Sequence, residues 1–240
     1  MSREDSMYQY KTKPYQHQRE VFDASWRRKY FALFMEMGTG KSKVAIDTMA
    51  ALYEEGEINT VLIAAPKGVF DNWIKAEIPT HLPERIKTKI VRWQPNITKK
   101  YQAEIEAIAL PEKREPGFLH ILVMNIEAFS TSKGAGAGQK FLKLNPENML
   151  ILDESTTIKN KSASRTKNLI KAGEQAKYKR ILTGSPITKS PMDLFSQCYF
   201  LDPTALNFRS YYSFQNRYAI VVRRAMGHRS FQEITGYRRL

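Results

Sequence analysis

Residues 31–49 of the 240-residue chain read FALFMEMGTGKSKVAIDTM, and this stretch decides the fold. The apolar run at 31–35 is typical of a buried strand, and residues 44–52 carry apolar side chains at helical spacing. Between them lies the sequence GTGKS at 38–42. Glycines let backbone N–H groups turn inward and a following helix adds its dipole, so this order of elements predicts a phosphate-binding loop.

The loop side chains have expected roles toward a nucleotide. Lys41 is expected to reach the β- and γ-phosphates, and Ser42 to ligate Mg²⁺ through its hydroxyl. The full phosphate-loop pattern is not met, because Met35 stands where that pattern has its first glycine. A short glycine pattern can also be an ordinary loop, and its position between a strand and a helix is what favours nucleotide binding.

The charge balance favours a polyanionic partner. The chain has 38 Lys and Arg against 24 Asp and Glu, a net charge of +14, and a pI near 9.7. Segments 155–189 and 205–240 are rich in Lys and Arg, and each contains a single acid, Glu174 or Glu233. Such clustering predicts nucleic acid as a partner, ahead of an anionic membrane, with a solvated lysine-rich surface as the alternative.

Other bulk features predict an intracellular protein without a membrane partner. No apolar run approaches the roughly 18 residues of a membrane span, and residues 1–13 have no signal-peptide core. Cys198 is the single cysteine, which excludes an internal disulfide and a cysteine-based zinc site. We expect a cytoplasmic location. A compact chain of this kind would suit a bacterium or a virus.

Strand-like and helix-like segments alternate along the chain. Further strands are predicted at 61–65, 89–93, 119–124, 149–152 and 180–182, and helices at 13–30, 69–78, 97–110, 164–172 and 192–201. This alternation predicts an α/β fold with a mostly parallel central sheet and helices on both faces. The small-residue segment 130–139, STSKGAGAGQ, is predicted to be a mobile loop.

Two carboxylates follow the apolar strand at 149–152. Open parallel sheets bind ligands at the carboxyl ends of their strands, which is where Asp153 and Glu154 are placed. We expect Asp153 to hold Mg²⁺ through water opposite Ser42, and Glu154 to orient or deprotonate the attacking water. The next strand ends in Thr183 and Ser185, which by themselves could form an ordinary Ser/Thr turn.

Five ordered motifs together resemble those of superfamily-two helicases. They are PYQ at 14–16, MGTGKS at 37–42, IAAP at 63–66, DEST at 153–156 and LTGSP at 182–186. The sequence is most similar to the Swi/Snf-type DNA translocase branch, because Ile158, Lys159 and Asn160 follow the acidic pair. The resemblance runs from about residue 13 to residue 203.

This resemblance implies an N-terminal RecA-like lobe that binds ATP with Mg²⁺, hydrolyses the ATP and moves along duplex DNA. It implies that Gln16 reads the adenine and that Asp153 and Glu154 serve hydrolysis. Thr183 and Ser185 would couple the nucleotide state to DNA contacts. The implied nucleotide contacts are Met37, Gly38, Thr39, Gly40, Lys41 and Ser42, and the implied DNA-facing positions are Lys67, Asn125, Lys159 and Asn160.

The sequence departs from this family at several points. The family usually has an acid at Met35 and a histidine at Thr156, and the second change puts coupling between lobes in doubt. We expect residues 1–203 to form the lobe and 204–240 a helical extension rich in arginine and aromatic residues. We expect a second RecA-like lobe to be absent from this chain and to act in cis or in trans. Because its arginines would stabilise the transition state, this chain alone is expected to be weakly active.

Two other functions remain open at this point. The chain could be a basic nucleic-acid-binding protein whose nucleotide site is regulatory or vestigial. A small P-loop kinase acting on a metabolite is a third reading, although the Gln16 segment, the LTGSP motif and the +14 charge fit it poorly.

Overall fold

A six-stranded parallel sheet forms the centre of the molecule in the computed structural model, which describes residues 8–226 and 229–238. The strand order is β1-β6-β5-β2-β4-β3, and every neighbouring pair is parallel. The strands are β1 Tyr30–Phe34, β2 Thr60–Ala65, β3 Thr88–Arg92, β4 Leu119–Asn125, β5 Asn148–Asp153 and β6 Tyr178–Thr183. The prediction of a parallel α/β sheet is therefore confirmed.

Helices connect the strands. They are α1 Gln16–Ser25, α2 Lys41–Glu54, α3 Phe70–Asn72, α4 Ile78–His81, α5 Lys99–Ala109, α6 Ser132–Leu144, α7 Ser164–Gly173, α8 Asp193–Leu201 and α9 Tyr211–Tyr218. A π-helical turn, Trp73–Glu77, joins α3 to α4, and 3-10 turns lie at Pro111–Lys113, Ile126–Ser130 and Ser155–Ile158. Among the described residues, no helix is long and apolar enough to cross a membrane.

Two hydrophobic cores cover the two faces of the sheet. Alternate residues of a strand point to opposite faces, so Val61 and Ile63 of β2 join one core while Leu62 and Ala64 join the other. Helices α1 and α2 pack into the first core, and α5 to α8 pack into the second. Strands buried on both faces read as continuous apolar runs, which is why the sequence located them well.

Two buried cations of β6 hold helix ends on opposite faces of the sheet. Arg180 Nη2 donates to the carbonyl oxygens of Ser25 at 2.9 Å and Trp26 at 3.1 Å, where α1 ends. Lys179 Nζ donates to the carbonyl oxygen of Phe200 at 3.0 Å in the last turn of α8. Carbonyls at a helix C-terminus lack intrahelical partners and carry partial negative charge. The strand therefore fixes where both helices end.

The prediction of a mobile loop at 130–139 is wrong, because the segment forms most of α6. Its glycines allow close packing against the turn Ile126–Ser130. A Cβ atom added to Gly134 would lie 2.3 Å from the carbonyl oxygen of Ala128, and one on Gly138 would lie 2.7 Å from Phe129 Cζ. The Thr131 hydroxyl accepts from the Gly134 N–H at 3.1 Å and begins the helix. The small residues of this segment therefore reflect the close packing of a helix and not a mobile loop.

The prediction of a helical extension at 204–240 is also wrong for most of that segment. Among the described residues of this segment only α9 is helical, and β7 Ala219–Met226 pairs with β8 Arg229–Tyr237 as an antiparallel hairpin. The β-branched residues of the run at 220–222 favour a strand. Phe214 and Phe195 pack at 5.5 Å between ring centroids, which joins α9 to α8.

Candidate nucleotide-binding site

The loop between β1 and α2 has the backbone that a phosphate loop needs. Gly38 and Gly40 have φ angles of 76° and 86°, in the left-handed region that favours glycine. Gly40 is also the N-cap residue of α2, directly before its first helical residue. Lys41 Nζ donates to the carbonyl oxygens of Met35 at 2.9 Å and Glu36 at 2.8 Å, so its ammonium lies within the curve of the loop.

The start of α1 contacts the same loop. Gln18 is buried, its Oε1 accepts from the Tyr15 N–H, and its Nε2 donates to the carbonyl oxygen of Thr39 at 3.0 Å. His17 Nε2 also lies 3.0 Å from that oxygen. Gln16, which the sequence favoured, is exposed and donates to Glu20. Gln18 was missed, although its place three residues after Tyr15 at a helix start could have indicated it.

Asp153 ends β5 and is held by neutral donors. Trp73 Nε1 donates to Asp153 Oδ2 at 2.9 Å, and the backbone N–H of Glu154 donates to the same carboxylate. Burial raises the pKa of Asp153, while nearby Lys41 acts to lower it. The sequence analysis assigned Trp73 no part in the site.

Glu154 has a strained backbone and a fixed side chain. Its φ is 55°, in the left-handed region that non-glycine residues rarely adopt. Its Oε1 accepts from the hydroxyls of Thr156 at 2.6 Å and Thr183 at 2.7 Å. Two neutral donors on one oxygen set the orientation of the carboxylate. The Thr156 hydroxyl thus contacts the acidic pair at the position where the family usually has a histidine.

Strand order brings these segments to one edge of the sheet. Strand β6 lies between β1 and β5, and Thr183 is in register with Phe34 at the end of β1. A Cβ atom on Gly184 would lie 3.1 Å from Met37 Cγ, so the turn after β6 touches the phosphate loop. The Ser185 N–H donates to the Thr183 hydroxyl at 3.2 Å. The loop, the acidic pair and the LTGSP turn are therefore neighbours.

The donor set fits a hard divalent cation. A hydroxyl at Ser42 and a carboxylate at Asp153 are the oxygen ligands that Mg²⁺ prefers, and neither donor to Asp153 carries a charge. Within the described ranges, no group of three or more His, Cys, Asp or Glu side chains forms a metal site. A magnesium ion here would therefore complete its coordination with phosphate oxygens and water.

The residues expected to face DNA lie at or beyond the carboxyl ends of β2, β4 and β5, in differing surroundings. Lys67 is exposed beyond β2, and Asn160 is exposed beyond β5. Lys159 Nζ donates to the Thr188 hydroxyl at 2.5 Å. Asn125 Oδ1 accepts from the Ala128 N–H at 2.7 Å and so caps the turn after β4, which gives that side chain a structural role.

The segment after the acidic pair is attached to α9. Lys161 Nζ lies 3.7 Å from the ring centroids of both Tyr211 and Tyr212. A cation between two aromatic faces is attracted by both ring quadrupoles. This contact holds the segment that carries Lys159 and Asn160 against the C-terminal part of the chain.

A protein-family match covers most of the chain. Residues 20–235 match the SNF2-related domain. The chain belongs to that family. The resemblance to a Swi/Snf-type superfamily-two ATPase lobe is thereby confirmed. Two solved structures share the fold. They are the Sulfolobus solfataricus SWI2/SNF2 ATPase core in complex with dsDNA, with a TM-score of 0.65 at 21% identity, and the core domain, with a TM-score of 0.58 at 22% identity. They align with 88% and 86% of this chain and with 40% and 39% of their own.

This chain also resembles a part of each of two much longer curated proteins. "Probable ATP-dependent DNA helicase CHR12" of Arabidopsis thaliana is 30% identical over 176 residues, which is 72% of this chain and 14% of that protein. "Chromatin-remodeling ATPase INO80" of Aspergillus oryzae is 30% identical over 180 residues, covering 74% and 12%. The expectation of a bacterial- or viral-type cytoplasmic protein is contradicted, because these relatives are eukaryotic.

Proposed function

We propose that this chain is the ATP-binding lobe of a DNA-dependent ATPase of the Swi/Snf type. The observation that carries the proposal is the meeting of the Lys41 loop and the Asp153–Glu154 pair at one sheet edge, with Thr183 donating to Glu154. Membership of the SNF2 family supports hydrolysis of ATP to ADP and phosphate as the reaction.

The roles of the site residues follow from their chemistry. Lys41 would exchange its two loop carbonyls for the β- and γ-phosphates, while the N–H groups of 37–42 and the α2 dipole bind phosphate oxygens. Ser42 and Asp153 would hold Mg²⁺, which supplies charge neutralisation on the phosphates when bound. Glu154 would accept a proton from, or orient, the attacking water. Gln16 remains the proposed adenine contact, supported by the loop contact of its neighbour Gln18.

We assign coupling to Thr183 and Ser185. Thr183 contacts Glu154 directly, and the Ser185 N–H donates to the Thr183 hydroxyl, so a shift of this turn changes the contacts of the carboxylate. Thr156 provides a second hydroxyl on the same oxygen. Together they link the strand ends to the group that would act on water.

Duplex DNA is the proposed partner. The net charge of +14, the exposed Lys67 and Asn160, and the lysine at 159 support it, with Asn125 shaping the neighbouring turn. One structure of similar fold is a complex with dsDNA. A second RecA-like lobe, in cis or in trans, would bring the arginines that complete hydrolysis. An arginine of that kind contributes about 10³–10⁵ in rate in other phosphoryl-transfer enzymes.

We propose residues 1–203 as the ATP-binding lobe and 204–240 as an extension attached to it. The chain spans 14% and 12% of the length of the two curated relatives. The packing of α9 on α8 and the Lys161 contact support an extension that moves with the lobe.

The experiment measures Mg-ATP binding by calorimetry and ATP hydrolysis with and without duplex DNA. The wild-type protein should bind Mg-ATP and hydrolyse it weakly, and its rate of hydrolysis should change when duplex DNA is added. Lys41→Ala should lose Mg-ATP binding. Lys167→Ala, an exposed lysine of α7, is the matched control and should bind Mg-ATP as the wild type does. Absence of ATP binding in the wild type, or no effect of Lys41→Ala, would refute the proposal.

A basic nucleic-acid-binding module is the second candidate, favoured by the +14 charge and by the engagement of Lys41 with its own loop. It predicts DNA affinity that falls steeply with salt and is unaffected by ATP. The proposed function predicts that Mg-ATP changes DNA affinity, so the same preparation separates the two.

A further inference from the structure

Trp73 contacts Asp153 from within the hydrophobic core that also contains the buried residues of helix α2. Its side chain is fully buried, and its indole Nε1 donates to Asp153 Oδ2 at 2.9 Å. We propose that Trp73 is a positioning residue that fixes the orientation of the Asp153 carboxylate for Mg²⁺, an inference that rests on the proposed function.

The chemistry of indole suits this role. Its N–H is a single donor on a rigid ring system, so one carboxylate oxygen is held in one direction. Because the indole is neutral, it orients Asp153 without replacing the cation that the carboxylate would bind. A lysine or arginine at this place would compete with Mg²⁺ for the same charge. Donors of this kind orient metal-binding carboxylates in other proteins, and their loss typically costs 10–100-fold in metal affinity.

The backbone around Trp73 is unusual. Trp73 begins the π-helical turn Trp73–Glu77, which lies between two short α-helical turns. Single π turns inside helices are found frequently at functional sites, because the extra residue redirects side chains. At the end of this turn, Glu77 Oε1 accepts from Asn72 Nδ2 at 3.1 Å, which braces the turn across its length.

The same turn is joined to a residue proposed to face DNA. The N–H groups of Val69 and Phe70 donate to the carbonyl oxygen of Pro66 at 2.8 and 2.9 Å, so the chain from the end of β2 to Trp73 is compact. Lys67 is exposed within this segment. Trp73 therefore links the Lys67 loop to the Asp153 carboxylate over a few residues of continuous structure.

The first test measures the magnesium requirement of nucleotide binding. MgCl₂ is titrated at fixed ATP carrying a ribose-linked fluorophore that is excited directly. Trp73→Phe should raise the Mg²⁺ concentration at half-maximal binding by about 10–100-fold. Trp93→Phe, another buried tryptophan replacement, should leave it unchanged. Thermal unfolding of both variants is recorded in the same buffers to establish that each is folded.

Should Trp73→Phe unfold, 3-benzothienylalanine at position 73 of a Trp26→Phe/Trp93→Phe background replaces the indole N–H by sulfur with nearly the same shape. The expected shift in the Mg²⁺ midpoint is the same. The parent background, in which Trp73 is the single tryptophan, provides a second readout. Its emission should change when Mg²⁺ is added to the ATP complex, whereas a Trp26→Phe/Trp73→Phe protein, which retains Trp93, should show no change.

The outcomes separate this inference from the proposed function. An unchanged Mg²⁺ midpoint in a folded N–H-deficient variant, or an emission of Trp73 that is indifferent to Mg²⁺, overturns the positioning role while the nucleotide site stands. A wild-type chain that binds no Mg-ATP overturns both.

Discussion

The hydroxyl of Thr183 donates to Oε1 of Glu154 at 2.7 Å. Thr183 is the last residue of β6, and Glu154 directly follows β5, so the bond joins the ends of two adjacent strands. A second hydroxyl, from Thr156, donates to the same oxygen at 2.6 Å. The carboxylate proposed to act on water is thus oriented by the LTGSP motif rather than by its own strand alone.

Thr183→Val should slow hydrolysis while leaving ATP affinity intact. The change deletes a hydrogen bond to a charged group and keeps the β-branched shape, so kcat should fall by about 10–100-fold. Steady-state hydrolysis and calorimetric ATP affinity measure the two effects separately. In the control Thr157→Val, the lost hydroxyl bonds only the backbone carbonyl of Glu154, and kcat should stay near wild type. Equal losses in both variants would count against the role of Thr183.

Gln18→Ala should weaken ATP binding, although Gln18 lies on helix α1 and not in the phosphate loop itself. The change removes the bond to the Thr39 carbonyl inside the phosphate loop and should raise the Kd for Mg-ATP about three- to tenfold. Calorimetry on Gln18→Ala and Gln16→Ala compares the two glutamines. An effect of Gln16→Ala on affinity for ATP but not GTP would support its proposed contact with adenine. No effect of Gln18→Ala would show that the loop holds its shape without α1.

Two glycines of α6 should respond to alanine in opposite directions. Gly136 is exposed with open space at its Cβ position, so Gly136→Ala should stabilise the protein by about 0.5–1 kcal/mol through helix propensity. Gly134→Ala should destabilise it, because the new methyl group would lie 2.3 Å from a backbone oxygen. Chemical denaturation gives both free energies of unfolding. Equal shifts in the two variants would contradict the packing of α6 on the turn at Ile126–Ser130.

The contribution of Lys179 to the stability of the protein should rise with pH in the alkaline range. Burial lowers the pKa of Lys179 from 10.5 to about 8, with Asp202 and Glu174 opposing the shift. Between these values the unfolded chain binds more protons than the folded chain, so the free energy of unfolding attributable to Lys179 increases with pH. Denaturation midpoints of wild type and Lys179→Met from pH 7 to 10.5 measure it. The wild-type curve should climb relative to the variant, and parallel curves would contradict the shifted pKa.

The fold followed closely from the sequence because its strands are buried on both faces. The apolar runs at 61–65, 119–124 and 149–152 coincide with β2, β4 and β5 to within about one or two residues. The phosphate loop was recognised because its glycines lie between a strand and a helix. Both the apolar runs and the glycine loop involve residues that are close together in the chain, so they can be recognised from the sequence.

The features that were not predicted depend on contacts between residues that are far apart in the sequence. Helix α6 can pack closely because Gly134 and Gly138 lie against Ala128 and Phe129. From composition alone, the same glycines indicate a flexible segment. The indole bond of Trp73 to Asp153 spans 80 positions, and the choice between Gln16 and Gln18 depends on which side chain turns toward the loop. Only the assembled sheet determines these pairs.

Strand β6 has a consequence for how the site can move. Its interior residues anchor the ends of α1 and α8, and its final residue supplies the hydroxyl that orients Glu154. Since α1 also carries Gln18, which contacts the phosphate loop, a displacement of this one strand would move both the loop side and the Glu154 side of the proposed nucleotide site. A force applied to β6 from outside the lobe would therefore affect nucleotide binding and the activation of water at the same time.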